Sequence, residues 1–228
     1  MCGRFALALD PADLQAAFPE FTFPLQAAPR YNVAPTQPIL AVPNDGANKA
    51  DFFVWGLIPG WAKDPSLGAR LINARAETLA EKPAFRGAYK YRRCLILANG
   101  FYEWQAQPGE KTKLPYFIHL KSGDPFAFAG LWERWQAADG HRPEPVEGSE
   151  VRSAAIITTE PNALMSPLHS RMPVILPRSG YTQWLDPAPS SGLQSLLVPY
   201  PAGEMEAYPV SRLVNSPGND RPEILLKV

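Results

Sequence analysis

Proline occupies 26 of the 228 positions, against a usual share of ~5%. Each proline fixes one backbone torsion and removes an N–H donor, so neither a long helix nor a central strand runs through it. The chain must therefore be built of many short elements joined by stiff turns, and a long-helix bundle is excluded. With 46% hydrophobic and 19% charged residues, it is long enough to bury a sizeable core. The formal net charge is zero, so any anion-binding surface has to be local.

The local patterns agree. Asp10-Pro11 reads as a helix N-cap followed by proline at the first helical position, with Leu14, Ala17 and Phe18 on one face. PILAVP (38–43) and ADFFVWGLIP (50–59) read as strands, and SAAIITT (153–159) as a buried one. In RRCLILANGFYEW (92–104), Asn99-Gly100 predicts a tight turn between two strands. LPYFIHLKSGDPFAFAGLWERW (114–135) predicts a hairpin bent at Ser122-Gly123-Asp124. LINARAETLAEKPAF (71–85) starts extended and turns helical after Ala74. The polar stretch 137–152, with Pro and Gly and few large apolar residues, reads as a mobile surface loop. The class expected is α+β, a mainly antiparallel sheet or barrel core flanked by a few short helices, in a single domain over 1–228. No apolar run approaches ~20 residues, and no adequate signal segment follows Arg4, so a cytoplasmic protein without membrane contact is expected. There is no clear dimerisation stripe, which predicts a monomer.

Chemistry concentrates at the N-terminus, MCGRF. Two cysteines are too few for a disulfide framework, and no zinc-type spacing exists, so neither a metal nor a cofactor is called for. Cys94, inside CLILA, reads as a small core residue. Cys2 differs: a small residue at position 2 favours removal of Met1. The exposed amine would have a pKa of about 7.7–8.0 and sit beside a thiol of about 8.5. Such an aminothiol can attack an acyl carbon. It can also trap an aldehyde, with the thiol closing a five-membered ring on the first-formed imine at high effective concentration. Glu103, among the aromatics of GFYEW, is either a solvent-facing strand residue or a pocket carboxylate suited to proton transfer. Asn73 either orients the Cys2 amine or completes a turn. His119 reads as a sheet-face residue and His141 as solvated, while His169, at a loop–strand junction in SPLHSRMP, is the candidate proton handler. Residues 61–95 hold eight bases (Lys63, Arg70, Arg75, Lys82, Arg86, Lys90, Arg92, Arg93) against three acids, interleaved with aromatics. That suits a single-stranded nucleic acid groove, or an ordinary solvated face.

Taken together and in order, MCGRF, RYNVAPTQ (30–37), WGLIPGW (55–61), LINARAET (71–78), CLILANGFYEW (94–104), FAFAGLW (126–132), IITT (156–159), LHSRMPVIL (168–176) and VSRLVN (210–215) resemble the SOS response-associated peptidase (SRAP) family. The resemblance implies the SRAP fold. It also implies that Cys2, freed of Met1, forms a thiazolidine crosslink with the ring-opened abasic sugar of single-stranded DNA and shields the lesion. It assigns Asn73 to hold the Cys2 amine, Glu103 to shuttle protons and His169 to act on the sugar ring oxygen. Arg4, Arg75 and Arg171 would bind flanking phosphates, Trp61 would pack at the DNA junction, and Thr158 would lie near the lesion. The family's peptidase name fits removal of its own first residue. When bound to DNA such a protein would be nucleoid-associated. Four departures stand out: Ala62 in place of a second aromatic, Lys82 near but not at a position where the family can carry arginine, Met172 beside Arg171 in place of a basic residue, and the length of 137–152.

Two other classes use parts of the same sequence. A glutamine amidotransferase of the N-terminal-cysteine type also begins Cys-Gly, with the thiol attacking an amide. It predicts glutamine-binding motifs that the sequence lacks. A non-covalent single-stranded DNA-binding module explains the basic aromatic segment but leaves Cys2, Asn73, Glu103 and His169 without a role.

Overall fold

The computed structural model describes residues 2–136, 150–188 and 192–228. Helices are few and short, as the prolines require: α1 (Pro11–Ala17), α2 (Arg86–Tyr91) and α3 (Tyr181–Leu185). The Asp10 side chain accepts from Asp13 N–H at 2.8 Å and caps α1, and Leu14 and Phe18 are buried. The first strands are β1 (Phe5–Leu7), β2 (Arg30–Val33), β3 (Pro38–Pro43), β4 (Asp51–Trp55), β5 (Asn73–Arg75) and β6 (Arg93–Ala98). They are followed by β7 (Gly100–Gln105), β8 (Leu114–Leu120), β9 (Phe126–Trp135), β10 (Val151–Thr159), β11 (Met172–Pro173), β12 (Ile175–Leu176) and β13 (Met205–Pro209).

Five strands close a barrel, because the order β10-β4-β3-β6-β9 returns to β10. Only the β10–β4 step in it is parallel. β5 continues beside β10, also in parallel, and β11 and β12 add to β10 and β9. A second, antiparallel sheet runs β13-β8-β7-β1-β2. This is the expected class, an antiparallel-dominated sheet and barrel with short helices.

Barrel residues alternate between two apolar cores, the period-2 signature of a strand. Leu40, Val42, Leu95, Leu97, Ala127 and Ala129 enter one. Ile39, Ala41, Cys94, Ile96, Phe126 and Phe128 enter the other, which also takes in Cys2, Phe5 and Phe101. Strands buried on both faces read as unbroken apolar runs, which is why CLILA and FAFAG carry no polar side chain. Phe5 sets its ring edge-on to Trp55 at 5.1 Å and to Phe128 at 5.8 Å, fastening the second sheet to the barrel.

Several sequence expectations need correction. The strand, turn, strand reading of 92–104 holds, but its two strands do not pair, and the hairpin predicted over 114–135 does not form. β6 lies in the barrel and β7 in the other sheet, so Asn99 is a corner, with its amide donating to Ala6 O at 2.9 Å and its side chain accepting from Ala8 N–H at 2.9 Å. β8 and β9 likewise part into different sheets across Ser122–Asp124. After Ala74 the chain makes only a short turn at Ala76–Thr78, and helix α2 waits until after Pro83. The mobile loop expected at 137–152 falls on residues outside the described ones up to 149, whereas Val151 and Arg152 belong to β10 and pair with β9. Arg93 is fully buried and no part of a basic groove: its guanidinium donates to the carbonyls of Trp184 at 2.9 Å, Tyr89 at 3.0 Å, Lys90 at 2.8 Å and Ala188 at 3.3 Å, and to that of Asp186. Arg92 pairs with Glu133 at 2.7 Å. Among the described residues no helix is long and apolar enough to cross a membrane.

Candidate active site

The site grows from the pairing of β1 with its neighbours. Phe5 faces Phe101 and Ala6 faces Gly100 across antiparallel strands, and Tyr102 N–H donates to Arg4 O at 2.9 Å. Continuing that register sets Glu103 beside Gly3, next to Cys2. Gly100 is obligatory here, because a Cβ on it would lie 2.0 Å from the Phe117 ring. On the barrel side β5 pairs in parallel with β10, Asn73 opposite Ile156 and Arg75 opposite Thr158. The junction of the two sheets thus gathers Cys2, Asn73 and Glu103.

Cys2 is fully buried, its Sγ 3.9 Å from Arg4 O. Burial pushes the thiol pKa well up, and the nearby Glu103 carboxylate adds to the rise. The thiol is therefore protonated at neutral pH. Asn73 donates from Nδ2 to the Cys2 carbonyl at 2.8 Å, so it holds Cys2 by its oxygen. Its Oδ1 is buried with no hydrogen-bond partner among the described residues. Glu103 is only 4% exposed, which discards the solvent-facing reading.

Of this group Glu103 reaches a cavity of about 600 Å³ that is also lined by Arg4, Trp104, Thr112, Lys113, His169 and Asn215, while Cys2 and Asn73 are not in its wall. His169 rides on a turn between β10 and β11 that Asn162 starts, its Oδ1 accepting from Met165 N–H at 2.9 Å. Met165 and Leu168 anchor that turn in the core, and His169 N–H donates to Met165 O at 2.9 Å. Arg171 N–H donates to His169 Nδ1 at 3.0 Å. The Arg171 carbonyl lies 3.2 Å from the same nitrogen, but an amide N–H can only donate, so Nδ1 accepts. A neutral ring then carries its proton on Nε2.

The predicted phosphate contacts divide. Arg75 is exposed and makes no ion pair among the described residues. Arg4 lines the cavity, but its Nη1 donates to Asn32 Oδ1 and Val214 O, each at 2.7 Å. Arg171 makes a two-point pair with Glu77 at 2.6 and 2.9 Å, and its Nη2 donates to the carbonyl of buried Thr158 at 2.6 Å. That pairing holds the Glu77 carboxyl below the usual carboxylate range, so it is ionised at neutral pH. Trp61 stands 63% exposed over a different groove, with Lys63 and Arg70. Ala62 is buried, its carbonyl accepting from Trp135 Nε1–H at 2.7 Å, in a place where a larger ring would meet Trp135.

Sequence reasoning missed Trp104, Thr112, Lys113 and Asn215 in the cavity wall, and Glu77. Asn215 lay within a recognised stretch, and its Oδ1 accepts from Trp104 Nε1–H at 2.7 Å. Lys113 sits in the polar β7–β8 connection, which carries no pattern that would single it out.

The sequence profile described as SOS response associated peptidase (SRAP) matches residues 1–217. The chain is 48% identical to abasic site processing protein YoqW of Bacillus subtilis over 230 residues, covering 99% of both chains. It is 33% identical to abasic site processing protein HMCES of Rattus norvegicus, over 99% of this chain and 75% of that one. A crystal structure of a protein from Bacteroides thetaiotaomicron superimposes with a TM-score of 0.86 at 27% identity, covering 100% of both chains. With near-complete coverage in sequence and in fold, the chain belongs to the SRAP family.

Proposed function

We propose that this chain processes abasic sites in single-stranded DNA by joining itself to them covalently. Support comes from relatives named abasic site processing proteins at 48% identity, and from the chemistry gathered at Cys2. Loss of Met1 frees the Cys2 amine. The amine adds to the aldehyde of the ring-opened sugar and releases one water, giving an imine. The thiol then adds to the imine carbon, and its proton ends on the nitrogen. The product is a thiazolidine, equal in mass to protein plus DNA minus one water, with no change of oxidation state.

The buried thiol supports this order. A protonated thiol is a poor first nucleophile, whereas the amine is partly unprotonated near neutral pH. Glu103 takes the thiol proton as sulfur attacks and returns one to the nitrogen. His169, with its proton on Nε2, donates to the ring oxygen as the sugar opens. Arg4, Arg75 and Arg171 contact phosphates, Thr158 backs Arg171 near the lesion, and Trp61 packs further along the strand. The chain acts as a single domain and a monomer, in the cytoplasm and at the nucleoid when bound.

The observation that carries the reading is Asn73: its Nδ2 clasps the Cys2 carbonyl while its buried Oδ1 has no donor among the described residues. A processed Cys2 brings a new N–H donor to the residue that Asn73 already holds. A buried acceptor left unsatisfied costs ~1–3 kcal/mol, so processing relieves a penalty as it creates the nucleophile.

The test is intact mass before and after incubation with a single-stranded oligonucleotide carrying one abasic site. The expected result is a protein lacking Met1 that gains a heat-stable adduct of the mass above. A chain that has lost Met1 and forms no adduct would overturn the covalent reading.

A further inference from the structure

Arg171 has five N–H groups, and their disposition is unusual for a residue that contacts a phosphate. Two guanidinium edges can take a phosphate at two points, Nη1–Nη2 and Nε–Nη2, and the second is turned into the protein here. Both oxygens of Glu77 occupy the Nη1–Nη2 edge, at 2.6 and 2.9 Å. Nη2 also donates to Thr158 O at 2.6 Å, and Nε is buried without a partner among the described residues. The guanidinium is fixed and the carboxylate is on the outside: the Arg171 side chain is 17% exposed and that of Glu77 51%. An ionised carboxylate in this place has the charge and fork geometry of a phosphate, and it stands on the solvent side of the guanidinium.

We infer that Glu77 is an internal competitor for the backbone phosphate that Arg171 contacts, so that DNA engages Arg171 only by displacing this carboxylate. The inference rests on the DNA-binding reading above and adds a specificity-determining residue to it. Glu77 keeps Arg171 ordered in the empty protein and lowers its hold on any passing strand. A phosphate held in place by other contacts replaces the carboxylate, whereas a loosely bound one does not. Because the main-chain N–H of Arg171 orients His169, the exchange takes place next to the proton-handling ring.

The experiment is a salt series of binding by the full chain to a single-stranded oligonucleotide without an abasic site, read by fluorescence anisotropy. The proteins are wild type, Glu77→Gln, Arg171→Gln and the double variant, with Glu81→Gln as a charge control and thermal melting to confirm folding. Glu77→Gln is expected to bind about three- to ten-fold tighter at low salt. Its log affinity against log salt should steepen by about 0.7, the share of one phosphate on a single strand. In the Arg171→Gln background the same substitution should give no more than Glu81→Gln gives alone. Unchanged or weaker binding by Glu77→Gln would show that Glu77 only positions Arg171, and would overturn the competition. So would a gain that survives in the Arg171→Gln background, since it would belong to the general field. Absence of salt-dependent binding by the wild type is a different failure, one of the DNA reading itself.

Discussion

Cys2 and Cys94 are alike by the usual measures of a cysteine. Both are fully buried, both belong to the same apolar core, and in both burial pushes the thiol up. Their surroundings differ. Cys94 lies within β6, where a Cβ on Gly130 would come 2.7 Å from its Sγ, and burial alone shifts it. Cys2 has a carboxylate close enough to act on its titration and an amide clasping its carbonyl, and that carboxylate, Glu103, lines a cavity. Burial and thiol acidity therefore do not separate the two cysteines. The polar groups arranged around Cys2 do.

The contrast can be broken most directly by substitution. Cys2→Ser should abolish the heat-stable adduct, leaving at most a reversible imine, while the fold is retained. Cys94→Ser should still form the adduct but lose ~1–3 kcal/mol of stability from a buried hydroxyl. An adduct from Cys2→Ser that survives heating would sink the thiazolidine. Glu103→Gln comes next: adduct formation followed by gel shift should slow about 100-fold, with non-covalent DNA affinity unchanged. Equal rates would remove the carboxylate from the chemistry.

On the structural side, Gly130→Ala should cost ~1–3 kcal/mol in denaturant unfolding, because its methyl has no room beside Cys94 Sγ and Ile96. Cys94→Ala should recover part of that cost, and strict additivity of the two would mean that they are not in contact. The smallest effect is one the two cysteines should share. Each thiol holds its proton more tightly folded than unfolded, so the unfolded state binds fewer protons once pH passes about 8.5, and stability falls. The slope per thiol approaches about −1.4 kcal/mol per pH unit. Unfolding measured at pH 8.5 to 9.5, below the tyrosines, should lose a similar share of that slope in Cys2→Ala and in Cys94→Ala. A flat profile for either would separate the two.

Local signals were legible where local physics decides. Asp10-Pro11 forms the α1 cap, the apolar runs at 38–43 and 153–159 form strands, and His119 sits on a sheet face, stacked on Phe117 at 5.7 Å. Cys2, Asn73 and Glu103 could be singled out because their types suit one chemistry, and the fold brings them to one junction. Pairing was not. Asn99-Gly100 and Ser122-Gly123-Asp124 carry hairpin signals, yet each joins two strands that belong to different sheets. β1 takes the place beside β7 that a hairpin would give to β6. Nor could charge counting show that Arg93 is buried among carbonyls or that Arg171 faces Glu77, since both depend on what the fold brings alongside.

The place of β1 has a mechanical consequence. Cys2 stands just ahead of a strand that is hydrogen-bonded on both sides, to β2 at Phe5–Val33 and to β7 at Phe5–Phe101. If DNA is tethered there, tension from a machine moving along the strand enters the protein through its N-terminus, along the axis of β1. The ladders on either side run across that axis and share the load at once, so they yield together rather than one bond at a time. The tether is thus fixed to an inner strand of its sheet, and removing the protein by force means breaking a sheet in shear.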